Sequence, residues 1–189
     1  MNFEKPESVS EHEHFQRVLQ HIQENPGTYV EYLPGLPKHK LLQFLLENNY
    51  LLHGTSIEEV EMLEPRQAND ASKKSGNQTA VYAVDDPILP LFYAIKDRKR
   101  LRGIVRSGYS IDDKGSKIYR FQIDGTRSEE NPWKNGVVLV LPKSSFEQTK
   151  DDNGKSTSEW VSYESVVPVA RLRVTPEDFP YLNDVKVVK

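Results

Sequence analysis

Four positions carry side chains suited to chemistry, and they lie far apart in the chain. His53 stands in the segment YLLHGTS, Tyr82 in AVYAV, Tyr93 in LFYAI and Glu159 in EWVSYE. An imidazole can hold a hydroxyl group, an aromatic ring can stack on a planar heterocycle, and a carboxylate can stabilise a developing positive charge. Taken singly, each position is more typical of packing or of a solvated strand end than of a catalytic site. A function therefore requires a fold that brings them together.

The composition limits the chemistry that is available. The chain has 189 residues, a formal net charge of −3 and no cysteine, which excludes disulfides, thiolate catalysis and cysteine-ligated metals. Its apolar runs are far too short to span a membrane, so we predict no membrane contact. The N-terminus lacks the basic and apolar regions of a signal peptide. The sequence therefore predicts a cytoplasmic protein.

Common nucleotide-binding and hydrolase motifs are missing from the sequence, including G-x-G-x-x-G, the P-loop, H-E-x-x-H and G-x-S-x-G. His12 and His14 form an H-x-H pair on a predicted helix. Side chains two positions apart on a helix point about 200° away from each other, which suits a metal poorly. We predict a solvated first turn there, and no metal site.

Two helices are predicted before the first candidate residue. A capping box at Ser10 and Glu13 begins the first helix, and Pro26 ends it. Its apolar stripe has helical spacing and consists of Phe15, Val18, Leu19 and Ile22. Residues 40–49 predict the second helix.

A short buried strand is predicted at residues 50–54, ending beside His53. A second capping box at Ser56 and Glu59 predicts a short helix that runs through Leu63. The polar residues 67–79 predict a loop.

The segment around Tyr93 predicts a strand followed by a helix. Residues 80–84 alternate as a strand does, and Asp86 with Pro87 is typical of a helix start, as N-cap and first helical residue. The apolar stripe of this helix consists of Ile88, Leu91, Phe92 and Ile95. Tyr93 lies roughly 150° from the centre of that stripe. Its ring is therefore not needed for packing on that face.

The second half of the chain is mostly strand-like. Further strands are predicted at residues 117–123, 137–141 and 166–174, which makes about six in all. Glycine spacing predicts an irregular region at residues 103–115, and polar composition predicts a loop at 149–158. Helices come first and strands dominate later, so the fold class is α+β.

Residues 96–106, KDRKRLRGIVR, form a basic run that contains six cations and one aspartate. Such a run can receive a phosphate-bearing ligand or a nucleic acid. A solvated helix end with cations near its C-terminus is the commoner explanation, and we favour it here.

The tripeptide His53-Gly54-Thr55 and its position resemble the ADP-ribosyltransferase superfamily in the His-Tyr-Glu branch. That branch includes the diphtheria-toxin-like toxins and the poly(ADP-ribose) polymerases, in which a His-Gly-Ser/Thr tripeptide ends the first core strand. The resemblance covers roughly residues 50–175.

The other three positions extend this resemblance. In the same branch one tyrosine lies in a strand and a second lies on the following helix; Tyr82 and Tyr93 match them at the spacing that the polymerases use. The catalytic glutamate of the branch begins a late strand, and Glu159 matches it.

The resemblance implies an NAD-dependent ADP-ribosyltransferase or NAD glycohydrolase, with NAD as substrate and no metal. It would cleave the bond between nicotinamide and ribose and transfer ADP-ribose to water or to an unknown macromolecular acceptor, a protein or a nucleic acid. The implied catalytic residues are Glu159, His53 and Tyr82. The implied NAD-binding residues are His53, Gly54, Thr55, Tyr82 and Tyr93.

Each implied role fits its residue type. His53 would hold the adenosine-side ribose hydroxyl, and the Gly54 backbone would pair with the nicotinamide carboxamide. Tyr82 and Tyr93 would sandwich the nicotinamide ring. Glu159 would bind the 2′-hydroxyl of the nicotinamide ribose and stabilise an oxocarbenium-like transition state, as carboxylates do in glycoside hydrolysis.

The sequence also departs from the family pattern. Pro90 stands where the polymerases have a serine that holds the carboxamide, and Thr157 stands where arginine-modifying toxins have Gln or Glu. A non-catalytic module that binds NAD, ADP-ribose or a protein partner is therefore an open alternative. An RNA 2′-phosphotransferase is a weaker one, because His53 is the only histidine after residue 40.

The implied architecture is one α+β domain with a split-sheet cleft. Residues 50–189 would form the ADP-ribosyltransferase-like core. Residues 1–49 would be an N-terminal helical segment packed on the same domain, and they resemble nothing that we can name.

Overall fold

The computed structural model describes residues 10–67, 78–101, 103–125 and 131–188. Within these ranges it has an α+β fold. The helices are α1 (Glu11–Glu24), α2 (Lys38–Glu47) and α3 (Leu89–Ile95). The strands are β1 (Thr28–Tyr29), β2 (Tyr50–Thr55), β3 (Arg66–Gln67), β4 (Thr79–Val84), β5 (Val105–Ile111), β6 (Lys117–Asp124), β7 (Gly136–Pro142), β8 (Glu147–Lys150), β9 (Ser156–Ser162), β10 (Ala170–Val174) and β11 (Lys186–Val188). Short 3-10 helices cover Lys143–Ser145, Pro176–Asp178 and Leu182–Asp184.

The strands form two separate sheets. The large sheet has the order β1-β10-β7-β2-β4-β9-β8, with β3 added beside β4, and the small sheet has the order β11-β6-β5. The α+β class is therefore confirmed, whereas the number of strands is higher than predicted. The extra strands are mostly short or lie at sheet edges, where little apolar pattern is needed.

Two apolar clusters cover opposite faces of the large sheet. Leu52 and Val140 belong to the larger cluster, together with buried residues of all three helices, whereas Leu51 and Leu139 belong to the smaller one. Alternate residues of a strand point to opposite faces. The strands β2 and β7 are buried on both faces, and this explains their continuous apolar runs.

The helix α1 begins as predicted, because the Ser10–Glu13 capping box is present in both directions. The prediction for His14 was wrong. Its side chain is 7% exposed, with its ring 5.2 Å from the ring of Tyr32, and burial lowers its pKa. His12 stays exposed, so the two rings do point apart.

The predicted helix at residues 56–63 is absent. The backbone there is held by distant groups instead: the Tyr29 hydroxyl donates to the Glu58 carbonyl at 2.8 Å, and Arg171 donates to the Val60 carbonyl, also at 2.8 Å. Leu63 forms an isolated bridge with Val166. These tertiary contacts outweigh the local capping signal.

The region predicted as irregular, residues 103–115, is largely strand β5, which pairs with β6 through a turn at Gly115. At Gly103 a Cβ atom would lie 1.3 Å from the Asp124 carbonyl oxygen. Glycine is required there for a close approach of two backbones rather than for irregular structure.

The predicted loop at residues 149–158 was too long. Strands β8 and β9 extend into it and leave only residues 151–155 as the connecting turn. The predicted strand at 166–174 was also too long, because β10 begins only at Ala170. Pro168 has no N–H group to donate to a strand ladder.

Within the described ranges, no helix is long and apolar enough to cross a membrane.

Candidate active site

Three of the four candidate residues lie on neighbouring strands of the large sheet. The strands β2, β4 and β9 are adjacent in that order, and they carry His53, Tyr82 and Glu159. Between β4 and β9, Tyr82 is paired with Val161 and Val84 with Glu159. Paired residues share a face, so Tyr82 and Glu159 point to the same face of the sheet as diagonal neighbours.

The strands β2 and β4 separate next to His53. Leu52 and Val84 form the one β2–β4 register pair in the described part of the chain. Beyond it, the His53 side chain takes the place of a strand pair: its Nδ1 atom donates to the carbonyl oxygen of Tyr82 at 2.7 Å. The opening between the two strands is therefore bridged by an imidazole.

That hydrogen bond sets the chemical form of His53. A carbonyl oxygen only accepts, so Nδ1 carries the hydrogen. Burial lowers the pKa of His53; the bond to Tyr82 opposes this effect, and the positive charge of Arg98 adds to it. The ring is therefore neutral at neutral pH, and Nε2 is left with a lone pair that can accept a hydrogen bond from a hydroxyl group.

The Tyr82 ring is fixed at its far end. Its hydroxyl accepts from the backbone N–H of Gln78 at 3.1 Å and donates to the Gln78 carbonyl at 3.2 Å. Thr55 has a local role as well, because its hydroxyl accepts from the Ile57 N–H at 3.2 Å. That bond turns the chain as β2 ends.

Glu159 lies in a β-bulge that the sequence did not predict. Gln148 pairs with Trp160 and Lys150 with Ser156, so the single residue Thr149 of β8 faces three residues of β9, Thr157, Ser158 and Glu159. Bulges of this kind re-aim side chains and are frequent beside active sites.

The bulge holds the backbone of Glu159 on both sides. Thr157 accepts from the Glu159 N–H at 3.0 Å, and the buried Thr149 hydroxyl donates to the Glu159 carbonyl at 3.1 Å. The half-buried Glu159 carboxylate has no hydrogen-bond or ion-pair partner among the described residues. Its backbone is thus fixed while its carboxylate can bind a ligand.

Tyr93 and Gly54 are brought together by α3. A Cβ atom on Gly54 would lie 2.0 Å from the Pro90 carbonyl oxygen and 2.9 Å from the Ala94 nitrogen. Only glycine permits this contact, so packing of α3 already explains the glycine. The same contact places Tyr93 beside the strand that carries His53.

Tyr93 is the least buried residue of α3. It is partly exposed, whereas its neighbours Phe92 and Ala94 are fully buried. Its hydroxyl is 2.8 Å from the Ser107 hydroxyl on β5. The ring is therefore tied to the small sheet while its backbone lies on the large one.

Asp86 positions α3 and is itself fully buried. Its Oδ1 atom accepts from the N–H groups of Ile88 and Leu89 at 2.9 Å. Asp86 therefore holds the start of α3, but the N-cap position is Ile88 and the helix begins at Leu89, so the prediction of Asp86 as N-cap and Pro87 as first helical residue was wrong. The apolar residues 88–95 do not indicate at which position of this run the helix begins.

The prediction of a solvated basic run was wrong for its first residue. Lys96 is only 6% exposed, and its ammonium lies 4.5 Å from the Tyr93 ring centroid. Arg98 and Lys99 are exposed as expected. A single lysine in a charged run cannot be identified as buried from sequence, because burial there depends on the end of α3 and on the strand-like bridge to Trp133.

Among the described residues, no cluster of three or more His, Asp or Glu side chains has a geometry that would hold a metal ion. Comparison of the chain with protein-family models, with curated proteins and with solved structures gave no match.

Proposed function

We propose that the protein binds NAD and cleaves its nicotinamide–ribose bond, transferring ADP-ribose to water or to a macromolecular acceptor. The observation that supports this proposal most is the adjacency of β2, β4 and β9, which carry His53, Tyr82 and Glu159. Three residues that are distant in sequence thereby lie on neighbouring strands, next to the opening between β2 and β4.

In the proposed reaction, the glycosidic carbon–nitrogen bond breaks and nicotinamide leaves with the bonding electrons. Positive charge then develops on the ribose, and the Glu159 carboxylate, hydrogen-bonded to the 2′-hydroxyl, stabilises it. The incoming nucleophile, water or an acceptor group, adds to C1′ and releases its proton to solvent. Nicotinamide stacks on Tyr93, with Tyr82 on its other side.

The neutral His53 suits the binding of a ribose hydroxyl. Because Nδ1 is committed to the Tyr82 carbonyl, Nε2 can accept only from a donor such as a hydroxyl group. A protonated imidazole would present a donor there instead. This chemical form of His53 supports the proposed role in binding a ribose hydroxyl.

The test is nicotinamide release from NAD by purified protein, followed by chromatography. We expect wild type to release nicotinamide and Glu159→Gln to lose at least about 100-fold in rate, as removal of one charge-stabilising group commonly does. Glu164→Gln is the matched control, because Glu164 lies just beyond the same strand and is exposed. No release by wild type, with no labelled target in a lysate supplied with labelled NAD, would reject the enzyme.

A binding module without turnover is the second candidate, and Pro90 favours it. Pro90 is buried against Gly54 and offers no hydroxyl for the carboxamide. Calorimetry of NAD binding, combined with the nicotinamide assay, separates the two candidates. NAD binding without nicotinamide release would support the binding module, and nicotinamide release above the uncatalysed rate would exclude it.

A further inference from the structure

Strand β5 is an open edge of the small sheet. It spans Val105–Ile111, and within the described part of the chain it pairs with β6 alone. The edge strand of an antiparallel sheet has one row of backbone N–H and C=O groups that its own sheet does not use. The residues that carry this row can be identified from the hydrogen bonds at the two ends of β5.

The odd-numbered residues of β5 carry the unused backbone groups. Just before the strand, the Asp124 N–H donates to the Ile104 carbonyl at 2.9 Å. Just after it, the Asp112 N–H donates to the Ser116 carbonyl at 3.0 Å. Hydrogen-bonded pairs alternate along an antiparallel ladder, so the even-numbered residues of β5 are bonded to β6. The N–H and C=O groups of the odd-numbered residues point outward, and no described residue bonds to them.

The other edge strands are protected in ways that β5 is not. Proteins usually keep an edge from pairing by short length, lysine, proline or a bulge. The edge strands β1 and β11 have two and three residues, and β8 has four, ends with Lys150 and pairs through a bulge. By contrast, β5 is seven residues long, contains neither lysine nor proline and pairs with β6 without a register shift. Its one charged residue, Arg106, is ion-paired with Asp124 of its own sheet.

Gly108, at the centre of β5, is not explained by packing within the chain. A glycine inside a strand is destabilising by roughly 0.5–1 kcal/mol relative to alanine. Gly108 has no positive φ and lies in no bulge, and an added Cβ would meet nothing within 4 Å. At Gly54, Gly103 and Gly136 an added Cβ would overlap a backbone carbonyl. The remaining common reason for a glycine in a strand is the close approach of another backbone, here from outside the chain.

We propose that β5 is a dimerisation strand, which pairs in antiparallel fashion with β5 of a second copy of the chain. The two-fold axis passes beside Gly108. In this register Val105 lies opposite the partner's Ile111, and Ser107 lies opposite the partner's Tyr109. All four positions carry outward-pointing backbone groups, so each pair can exchange both of its hydrogen bonds.

The side chains favour a second copy as the occupant of this edge. Ile111 is apolar but 60% exposed, and the register places it opposite the partner's Val105. Arg106 lies opposite the partner's Ser110, so no like charges meet. Gly108 faces the partner's Gly108 in a non-hydrogen-bonded pair, where the Cα atoms lie about 4.5 Å apart. Because both copies use the same edge, the assembly closes as a two-fold dimer.

The experiment is sedimentation velocity over a range of protein concentrations. We expect a reversible monomer–dimer equilibrium that favours the monomer on dilution, because one pair of edge strands is a small interface. Ser110→Glu should tighten the dimer about 2- to 30-fold, because a carboxylate then faces the partner's Arg106 at both symmetric pairs. Ser110→Lys should weaken it by a similar factor, because like charges then meet.

The opposite effects of the two charges distinguish this register from a general effect of substitution. Ser110 is exposed and its side chain bonds to no described residue, so both variants should keep the fold. The same two substitutions at Ser165 are the matched controls. Ser165 is exposed and lies between β9 and β10 of the large sheet, so its variants should associate like wild type.

Amide hydrogen exchange followed by NMR tests the register without any variant. We expect the amides of the odd-numbered residues of β5 to exchange more slowly as the protein concentration rises. The amides of the even-numbered residues are already bonded to β6, so they should be protected at every concentration.

Three results would overturn the dimerisation strand. The first is a protein that stays monomeric at every concentration, which would leave the edge to solvent or to a strand of another protein. The second is a dimer that Ser110→Glu and Ser110→Lys affect equally or not at all, because its interface would then lie elsewhere. The third is protection of the odd-numbered amides in the monomer, which would mean that another part of the same chain covers the edge.

Discussion

A single hydrogen bond determines the orientation and the tautomer of the His53 imidazole. Its Nδ1 atom is held by the Tyr82 carbonyl at 2.7 Å, in the position where β2 and β4 stop pairing. The same contact fixes the ring and its tautomer, and it leaves Nε2 as a hydrogen-bond acceptor. This contact could not be predicted from the sequence, because every residue carries a backbone carbonyl acceptor.

The lowered pKa of His53 predicts acid sensitivity. The folded state resists protonation of this ring, whereas the unfolded chain takes up a proton below about pH 6.5. Below that pH the free energy of unfolding falls by up to about 1.4 kcal/mol per pH unit, until the folded ring also protonates. Urea unfolding between pH 5 and pH 7.5 measures the slope.

The variant His53→Asn tests this assignment, because its amide can still donate to the Tyr82 carbonyl but does not titrate. We expect the free energy of unfolding of this variant to fall less steeply as the pH is lowered. The difference in slope corresponds to at most one proton, which is about 1.4 kcal/mol per pH unit. His14 and His39 also have pKa values lowered by burial and keep part of the slope. Equal slopes for wild type and His53→Asn would contradict the assignment.

At the scale of the elements, α3 is the central feature, because it touches both glycines that flank the candidate site. Cβ atoms on Gly54 and Gly136 would lie 2.0 Å and 2.1 Å from carbonyl oxygens of α3. The helix therefore lies directly on the strand backbones. Any displacement of α3 would move Tyr93 relative to His53.

Substitution of Gly54 by alanine should therefore be strongly destabilising. The added methyl group overlaps the Pro90 carbonyl, and we expect a loss of about 1–3 kcal/mol or more in the free energy of unfolding, as overpacking causes. Gly108→Ala in β5 is the matched control, since nothing lies within 4 Å of its added Cβ. Urea unfolding of both variants provides the measurement, and equal stability would show that α3 can move away.

The three helices and the buried strands were predictable from sequence, because apolar patterns are local signals, although the Ser56–Glu59 capping box predicted a helix that the structure lacks. The Ser10 capping box and the β7 apolar run are examples. The edge strands β5 and β8 could not be predicted, because their residues are mostly polar. Such a strand is recognised only from the neighbouring strand with which it pairs. The bulge at Glu159 and the burial of Lys96 likewise depend on tertiary contacts.

At the scale of the whole molecule, a partly buried ion pair between Asp86 and Lys117 connects the start of α3 with the small sheet. Asp86, which holds the start of α3, also accepts from Lys117 Nζ at 2.7 Å and from the Tyr119 hydroxyl at 2.8 Å through Oδ2. Both partners lie on β6 of the small sheet. One carboxylate thereby fixes the start of α3 and the position of the small sheet together.

Asp86→Asn should weaken this connection. The amide oxygen can still accept from the N–H groups at the start of α3, but the Lys117 ammonium loses its anion, and breaking a fully buried pair costs about 3–5 kcal/mol. Lys117 keeps some contact with water, since its side chain is 35% exposed, so the loss should be toward the low end of that range. Thermal unfolding measures the loss, and Asp86→Asn with Lys117→Met should recover part of it. An unchanged melting temperature would exclude the ion pair as a connection between α3 and the small sheet.

The bulge in β9 affects which insertions, deletions and substitutions the β8–β9 hairpin can accept during evolution. Thr149 and Thr157 anchor the Glu159 backbone below the turn at residues 151–155. The turn can therefore gain, lose or exchange residues while the aim of the carboxylate stays the same. Substitutions at the tip of this hairpin can therefore accumulate without changing the direction of the Glu159 side chain.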